Sequence, residues 1–184
     1  GYLHHFGRIE QIATTNSFKD KVVDHADNGV KLLFEEGWIR TFIQDDKYDE
    51  IIKKAVRNHN KYQILDPVNE RERLFANIIR DSDKIDIFRV RTKYYHNEMK
   101  LVPSIKVVEE LKKEHSILLN DIKNKSDSLL CVMAFIFDFN YKESIQILKK
   151  KGYYSNFLNS IEVSKDNETI FKEIKEKLLK KLEV

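Results

Sequence analysis

The residues of this 184-residue chain best suited to metal chemistry are four of its six histidines and one aspartate. His4 and His5 are adjacent in YLHHFGRIEQ, and His25 stands in DHADNG. His59 stands in RNHNK, and Asp83 lies in the acidic segment RDSDKIDIFR. Neutral imidazole nitrogens and carboxylate oxygens are ligands for divalent cations, and distant helices can supply them to one ion. Taken singly, each histidine is also compatible with a polar position on a helix.

Three basic residues and one further carboxylate lie near these candidates in the chain. Arg8 follows His4 by four residues, which places both on one face if the stretch is helical, and its guanidinium suits a phosphate. A structural salt bridge is the alternative for Arg8. Lys61 and Lys84 each lie within two residues of a candidate ligand and either hold a phosphate or lie in solvent. Asp24 directly precedes a candidate histidine and either orients that imidazole or caps a helix.

Composition excludes several classes of protein. A net charge of +3 over 184 residues is too small to indicate binding to a nucleic acid polymer or to a membrane surface. The most apolar run, LLCVMAFIF, is too short to cross a bilayer. Its cysteine, Cys131, is the only one in the chain, so an internal disulfide is excluded and a cytoplasmic location is expected. We interpret Cys131 as a buried structural thiol, and His96 and His115 as exposed residues.

Apolar residues recur at helical spacing along almost the whole chain, so the sequence predicts an all-α fold. VVDHADNGVKLLFEEG is predicted to be a helix that ends at Gly37, and Ile51, Ile52, Ala55 and Val56 share one side of the next helix. The long segment from residue 70 has an apolar spine of Leu74, Phe75, Ile78, Ile85 and Phe88. Ser104 is a predicted N-cap, and the last helix is predicted to bury Ile170, Ile174, Leu178 and Leu182.

Four ordered segments resemble the HD superfamily of metal-dependent phosphohydrolases, over about residues 1–92. LHHFGRIEQ is similar to the segment with the His-Asp doublet, which reads HD-x-GR followed by E-Q. DHADNGVKLLFEEGWIR and AVRNHNK resemble the two further histidine segments, and NIIRDSDKIDIFR resembles the late aspartate segment. The late aspartate of the family precedes a basic and an apolar residue, which matches Asp83 rather than Asp81 or Asp86.

The resemblance implies a single all-α domain, with an HD helical bundle over about residues 1–100 and further helices over about 101–184. It implies a divalent metal ion (Mn, Fe, Mg, Co, Ni and Zn are not distinguished) whose activated water attacks a phosphate ester. The residues implied as metal ligands are His4, His5, His25, His59 and Asp83. Arg8 and Asp83 are the expected catalytic residues, and Arg8, Lys61 and Lys84 are the expected phosphate-binding residues.

Two departures from the family pattern bear on the metal. His5 occupies the place of the doublet's aspartate, and an imidazole cannot bridge two ions with two oxygens as a carboxylate can. The upstream histidine of the family would precede Gly1. We therefore expect at most one tightly bound ion, or an empty site.

Three hypotheses of function follow from these observations. The first is a phosphohydrolase acting on a nucleotide or another small phosphate ester. The second is a catalytically impaired HD protein that binds a nucleotide as a regulatory module, and it rests on His5. The third is a purely structural helical interaction domain. The expected partner is a small phosphorylated molecule, and a homo-oligomer is compatible with the sequence.

Overall fold

The computed structural model describes residues 2–17, 23–65, 68–92 and 102–183, which contain ten α-helices and no strand. Helices make up 73% of the protein, so the all-α prediction is confirmed. The chain forms two compact units, Gly1–Asp83 and Lys84–Val184. The assignment of the whole chain to one domain stays a prediction. No helix in the described ranges is long and apolar enough to span a membrane.

The first unit begins with a 3-10 turn over Tyr2–His5, which continues into helix α1. The helices that follow in chain order are α1 (Phe6–Thr15), α2 (His25–Val30), α3 (Ile39–Phe42), α4 (Asp49–Asn58) and α5 (Glu70–Arg91). Helix α2 runs directly into a π-helical segment, Lys31–Glu35. Val30, Leu33, Ile39 and Val56 form the buried apolar core of this unit.

An N-cap residue determines where helix α2 begins. The Asp24 carboxylate accepts hydrogen bonds from the backbone N–H groups of Ala26 and Asp27, so the helix begins at His25 rather than further upstream. At the other end, Gly37 has φ +80° and follows Glu36, the residue directly after the π-helical segment. The prediction that this helical stretch ends at Gly37 is confirmed, because only glycine adopts that backbone conformation without strain.

Helices α1 and α2 approach each other at Gly7. A Cβ atom at Gly7 would lie 2.2 Å from the carbonyl oxygen of His25 and 2.4 Å from the backbone nitrogen of Gly29. The Asn28 side chain fastens this crossing by donating to the Gly7 carbonyl and to the Glu10 carboxylate, at 3.2 and 3.0 Å. Glycine at position 7 therefore permits the close contact that places α1 against α2.

Helix α5 buries a largely polar face in its middle. Arg80, Asp81 and Asp83 are buried there. The predicted apolar spine is wrong for Leu74, Phe75 and Ile78, each of which is at least 40% exposed. It is confirmed for Phe88, which is fully buried, and for Ile85, which packs against the core of the second unit.

The second unit contains α6 (Ile105–Lys112), α7 (Lys125–Ala134), α8 (Lys142–Lys151), α9 (Tyr153–Asn159) and α10 (Glu168–Lys180). Its core is larger than that of the first unit and includes Phe88, Met133, Tyr154 and Phe157. The buried Tyr154 hydroxyl donates to the Met133 carbonyl at 2.7 Å.

The last helix buries only part of its predicted apolar face. Leu178 and Leu182 are buried and Ile174 packs partly against the core, as predicted. Ile170 is 51% exposed, and its predicted burial is wrong. The reason is that Ile170, in the first turn of α10, lines an open cavity of about 470 Å³ instead of packed side chains.

Ser104 precedes α6 at the predicted N-cap position, but its side chain does not cap that helix. Its hydroxyl donates to Asp127 Oδ2 at 2.7 Å, and its backbone N–H donates to Asp127 Oδ1 at the same distance. The Lys123 N–H also donates to Asp127, at 2.9 Å. Burial raises the pKa of Asp127, but these hydrogen bonds outweigh it and hold the pKa below its ordinary value.

The predictions that Cys131 is buried and that His115 is exposed are both confirmed. Cys131 is buried, and burial raises the pKa of its thiol to about 11, which suits an unreactive structural cysteine. His115 is exposed, with Nδ1 3.1 Å from the Glu110 carboxylate. His96 lies outside the described residues.

Candidate metal centre

The five predicted ligands lie together in the first unit, although four separate stretches of the chain supply them. One ligand atom from each of His5, His25 and His59 lies within 4.8 Å of the other two, and the same holds for His4, His5 and Asp83. The rings of His4 and His5 have centroids 4.0 Å apart, and those of His25 and His59 are 4.7 Å apart. The prediction that these segments meet is confirmed in geometry.

The 3-10 turn places the imidazoles of His4 and His5 next to the carboxylate of Asp83. The Nε2 atoms of His4 and His5 lie 3.4 and 3.1 Å from Asp83 Oδ1. Burial raises the pKa of Asp83, but hydrogen bonding to these two imidazoles outweighs burial and holds the pKa well below its ordinary value. Asp83 is therefore an anion at neutral pH. The His5 Nδ1 atom is buried and has no hydrogen-bond partner within the described ranges.

His59 is held in one tautomer by the backbone of its own helix. Its Nδ1 lies 2.6 Å from the Val56 carbonyl oxygen, which can only accept, so Nδ1 carries the proton and Nε2 keeps its lone pair. Burial lowers the pKa of His59 to about 3, and the ring is neutral at physiological pH. Neutral imidazole with a free Nε2 lone pair is the form that binds metals.

The His59 lone pair faces a second imidazole nitrogen at short range. The two Nε2 atoms of His25 and His59 are 2.8 Å apart, and both rings are buried. Two lone pairs at this distance repel, so the contact requires either a proton on His25 Nε2 or a cation close to both nitrogens. The cluster of imidazoles around one buried carboxylate therefore fits a bound cation.

Arg8 is positioned beside this cluster by a buried glutamine. Its Nη2 lies 3.1 Å from His25 Nε2, and its Nη1 donates to Gln11 Oε1 at 2.7 Å. Gln11 is fully buried and donates in turn to the Val23 carbonyl at 2.5 Å. The guanidinium thus reaches the centre as predicted, and its phosphate-binding role stays a prediction.

Lys61 is engaged by two carboxylates. Its ammonium lies 2.5 Å from Asp24 Oδ2 and 2.8 Å from Asp27 Oδ2. Burial lowers the pKa of Lys61, but these two hydrogen bonds outweigh it and raise the pKa above its ordinary value. Asp24 caps α2, so the capping interpretation is confirmed. Its orientation of the His25 imidazole stays a prediction; Asp24 accepts from Asn60, whose Nδ2 lies 3.5 Å from His25 Nδ1.

Lys84 is the first residue of the second unit and is paired there. Its ammonium lies 2.8 Å from Asp138 Oδ2 and 6.0 Å from the centre of the Phe139 ring. Lys61 and Lys84 therefore both have carboxylate partners in this structure. Phosphate binding by either lysine stays a prediction.

Three groups that shape the centre were not identified from the sequence. The Val56 carbonyl sets the His59 tautomer, Gln11 holds Arg8, and Asn60 links Asp24 to His25. Gln11 and Asn60 carried a signal, since each is a polar residue inside a quoted motif. A backbone carbonyl has no sequence signal at all.

Comparison with known proteins yields no match: no family model, curated protein or solved structure is similar to the chain. The resemblance to HD phosphohydrolases therefore rests on the four quoted segments. The structure adds that His4, His5, His25, His59 and Asp83 form clusters that could hold a metal ion, and membership of the family stays a prediction.

Proposed function

We propose that the protein is a divalent-metal-dependent phosphohydrolase of the HD type, acting on a nucleotide or another small phosphate ester. The observation that carries the proposal is the meeting of the five ligands that the resemblance implied. Four segments that are separate in the sequence bring four imidazoles and one carboxylate to one place. A cluster of this composition, with a guanidinium beside it, is suited to holding a cation and an anionic substrate together.

The donor set favours some ions over others. Four imidazoles and one carboxylate suit Mn, Fe, Co, Ni or Zn better than Mg, which prefers oxygen ligands. When bound, the ion supplies Lewis acidity: it neutralises charge on a phosphoryl oxygen and makes a water molecule more acidic. In the proposed reaction the water oxygen forms a bond to phosphorus, the ester P–O bond breaks, and the leaving oxygen takes up a proton.

Three side chains of the protein would contribute charge or orientation at the metal and phosphate sites. Asp83 contributes a negative charge to the cation site, and His59 presents a neutral nitrogen in a fixed orientation. Arg8 offers a planar fork of N–H donors, of which Nη1 is already held by Gln11. Because its Nη2 lies 3.1 Å from His25, the guanidinium can contact a phosphate bound at the centre.

The test is a metal-by-substrate screen of the full chain. The protein would be reconstituted with each of the six candidate ions and assayed for phosphate release from nucleoside mono-, di- and triphosphates, cyclic nucleotides and simple phosphomonoesters. We expect turnover with at least one ion, its loss in His25→Ala and Asp83→Asn, and its retention in His115→Ala. The absence of turnover with every ion and ester would refute the proposal.

A second candidate function is supported by His5. An imidazole, not a carboxylate, lies 3.1 Å from Asp83 Oδ1, and among the described residues no second carboxylate joins the histidine clusters to bridge ions. Such a centre suits a catalytically impaired HD protein that binds a nucleotide as a regulatory module. The variant His5→Asp separates the two candidates. Gain of phosphate release by an inactive parent supports the regulatory module, and an active parent excludes it.

A further inference from the structure

An apolar cleft of about 410 Å³ lies in the first unit beside the candidate metal centre. The 3-10 turn, α3, α4 and α5 all contribute to its lining. We define the apolar cleft by six of its side chains together with His4; the six are Leu3, Phe42, Ile51, Ile52, Phe75 and Ile79. Both Phe42 and Phe75 line the cleft and remain 52% and 40% exposed, so part of their apolar surface is not packed into the core.

His4 joins the apolar cleft to the metal centre. Its imidazole lines the cleft, while its Nε2 lies 3.4 Å from Asp83 Oδ1 and its ring centroid lies 5.0 Å from that of His59. Val56 makes a second link, because it lines the cleft and its carbonyl orients His59. A ligand with its phosphate at the centre therefore has its remaining part next to the cleft.

The residues that line the cleft determine which kind of substrate group can bind there. Apart from His4, the side chains that line the cleft in the described part of the chain are apolar. A ribose or a nucleobase placed there would lose hydrogen bonds to water and find one imidazole in exchange, which is unfavourable. An alkyl or aryl group loses no hydrogen bonds and gains from burial. The volume lies in the range of pockets that enclose small organic ligands.

We infer that the apolar cleft binds the alcohol portion of the substrate, which makes the substrate class the phosphomonoesters of apolar alcohols rather than nucleotides. This inference rests on the proposed phosphohydrolase function and specifies its substrate. The reaction is hydrolysis of R–O–PO₃²⁻ by water: the ester P–O bond breaks, a P–O bond to the water oxygen forms, and the alkoxide takes a proton to leave as R–OH.

The first experiment varies the alcohol. The full chain, loaded with the ion that gives activity, is assayed for phosphate release from the n-alkyl phosphates between ethyl and octyl, from phenyl phosphate and from adenosine monophosphate. We expect kcat/KM to rise about three- to fourfold per methylene until the cleft is full, since each buried methylene contributes that factor. A flat alkyl series, or a preference for the nucleotide over octyl phosphate, would overturn the inference.

Two neighbouring residues of α5 supply a matched pair of variants. Phe75 and Leu74 are similarly exposed, at 40% and 44%, but only Phe75 lines the cleft. In Phe75→Ser we expect the ratio of kcat/KM for octyl over ethyl phosphate to fall about tenfold. In Leu74→Ser this ratio stays at the parent value. Equal ratios in the two variants would contradict a role for the cleft.

A binding measurement separates failure of the inference from failure of the proposed function. Octylphosphonate and ethylphosphonate cannot be hydrolysed at a phosphate ester, and calorimetry reports their affinities whether or not the protein is an enzyme. We expect octylphosphonate to bind at least about tenfold more tightly, with a negative heat-capacity change, and Phe75→Ser to remove the difference. Tighter octyl binding without any turnover refutes hydrolysis and supports the cleft; equal affinities refute the cleft. Self-association that is lost in Phe75→Ser would show that a second copy fills it.

Discussion

His59 is held at both ring nitrogens, by the Val56 carbonyl and by the neighbouring His25. Removing its imidazole deletes one candidate metal ligand and one of the contacts that position the His25 ring. We predict that His59→Ala weakens binding of Zn²⁺ or Mn²⁺ by at least about 100-fold, since even changes around metal ligands cost 10–100-fold. Titration calorimetry measures the affinity. His115→Ala is the control, because His115 is exposed beside Glu110, and equal affinities in both variants would contradict the prediction.

His5 sets the expected number of ions. An imidazole at this position contributes one nitrogen lone pair and no negative charge, so two closely spaced cations would repel each other strongly. We predict at most one tightly bound ion per chain after loading with Mn²⁺ and removal of the excess, measured by elemental analysis. His5→Asp supplies a bridging carboxylate and is expected to raise the content towards two. Two bound ions in the parent protein would contradict this argument.

Residue types identified the candidate ligands, but their interaction partners had to come from the structure. The order of His25, His59 and Asp83 in the chain, together with a family resemblance, was enough to predict that they meet. The sequence did not show that Lys61 binds two aspartates, because those contacts join residues more than thirty positions apart. Ion pairs of this kind depend on tertiary packing, which local pattern does not encode.

Among the helices, the crossing of α1 and α2 depends on one glycine. In Gly7→Ala the new methyl group would meet the His25 carbonyl at 2.2 Å, and α1 would have to move away from α2. We predict a loss of about 2–3 kcal/mol in the free energy of unfolding of the first unit, together with weaker metal binding. Urea denaturation followed by circular dichroism measures the stability.

Gly37→Ala is the comparison for this variant. Apart from its chain neighbours, no atom of the described residues lies within 4 Å of a Cβ placed at Gly37, so the expected strain comes from φ +80°. Its expected cost is smaller, about 1–2 kcal/mol, and it leaves metal affinity at the parent value. A Gly7→Ala protein as stable and as tightly metal-binding as the parent would contradict the close contact.

Asp127 fastens the start of α6 to the start of α7 in the second unit, and its effect depends on pH. Its folded-state pKa lies below the ordinary value of 3.8, so its stabilisation is fully present above about pH 4 and is lost as pH falls through the folded pKa. We predict that Asp127→Asn loses about 2–3 kcal/mol of unfolding free energy at pH 6, because hydrogen bonds to a carboxylate are replaced by weaker ones.

Denaturation of parent and variant at several pH values tests this dependence. The difference between them should shrink as pH falls below 4, since the parent carboxylate becomes protonated. Asp166→Asn is the control, because Asp166 is exposed, and it should behave as the parent at every pH. A pH-independent difference for Asp127→Asn would show that charge is not the cause.

Caps and glycines made several helix ends predictable, whereas the buried face of α5 was not. Gly37 and Ser104 stand at the positions expected for them. The α5 prediction assumed that apolar residues mark the buried face, but in its middle Arg80, Asp81 and Asp83 are buried instead. When a helix contributes buried polar residues to a site, its apolar residues do not mark its buried face. Hydrophobic periodicity then predicts the wrong face to be buried.

For the molecule as a whole, the two units have separate apolar cores of unequal size. Among the described residues, the buried apolar cluster of the first unit has four members, and that of the second has twenty. We predict two thermal transitions in calorimetry, with the first unit melting at the lower temperature because less apolar surface is buried there. A ligand present at 100 times its Kd raises the free energy of unfolding of the unit that binds it by about 2.7 kcal/mol. For a unit of this size, that increase raises the melting temperature by about 10 °C or more.

The added ion should therefore raise the lower transition and leave the upper one in place, since all five candidate ligands belong to the first unit. An equal shift of both transitions would contradict the assignment. The position of the boundary between the two units was not predictable from sequence, which placed the end of the first bundle at about residue 100. Helical periodicity continues from residue 70 through the boundary at Asp83, and neither proline nor glycine marks it.

The position of Trp38 gives the protein an optical reporter of its own. It is the only tryptophan in the chain, and its ring centroid lies 6.4 Å from that of Phe6, the residue that follows His5. Indole emission responds to the polarity and motion of its surroundings, and here it responds in the first unit alone. Fluorescence of the unlabelled protein can therefore follow the seating of the segment that carries His4 and His5 as an ion is added, while the tyrosines of the second unit stay silent at the red edge of indole absorption.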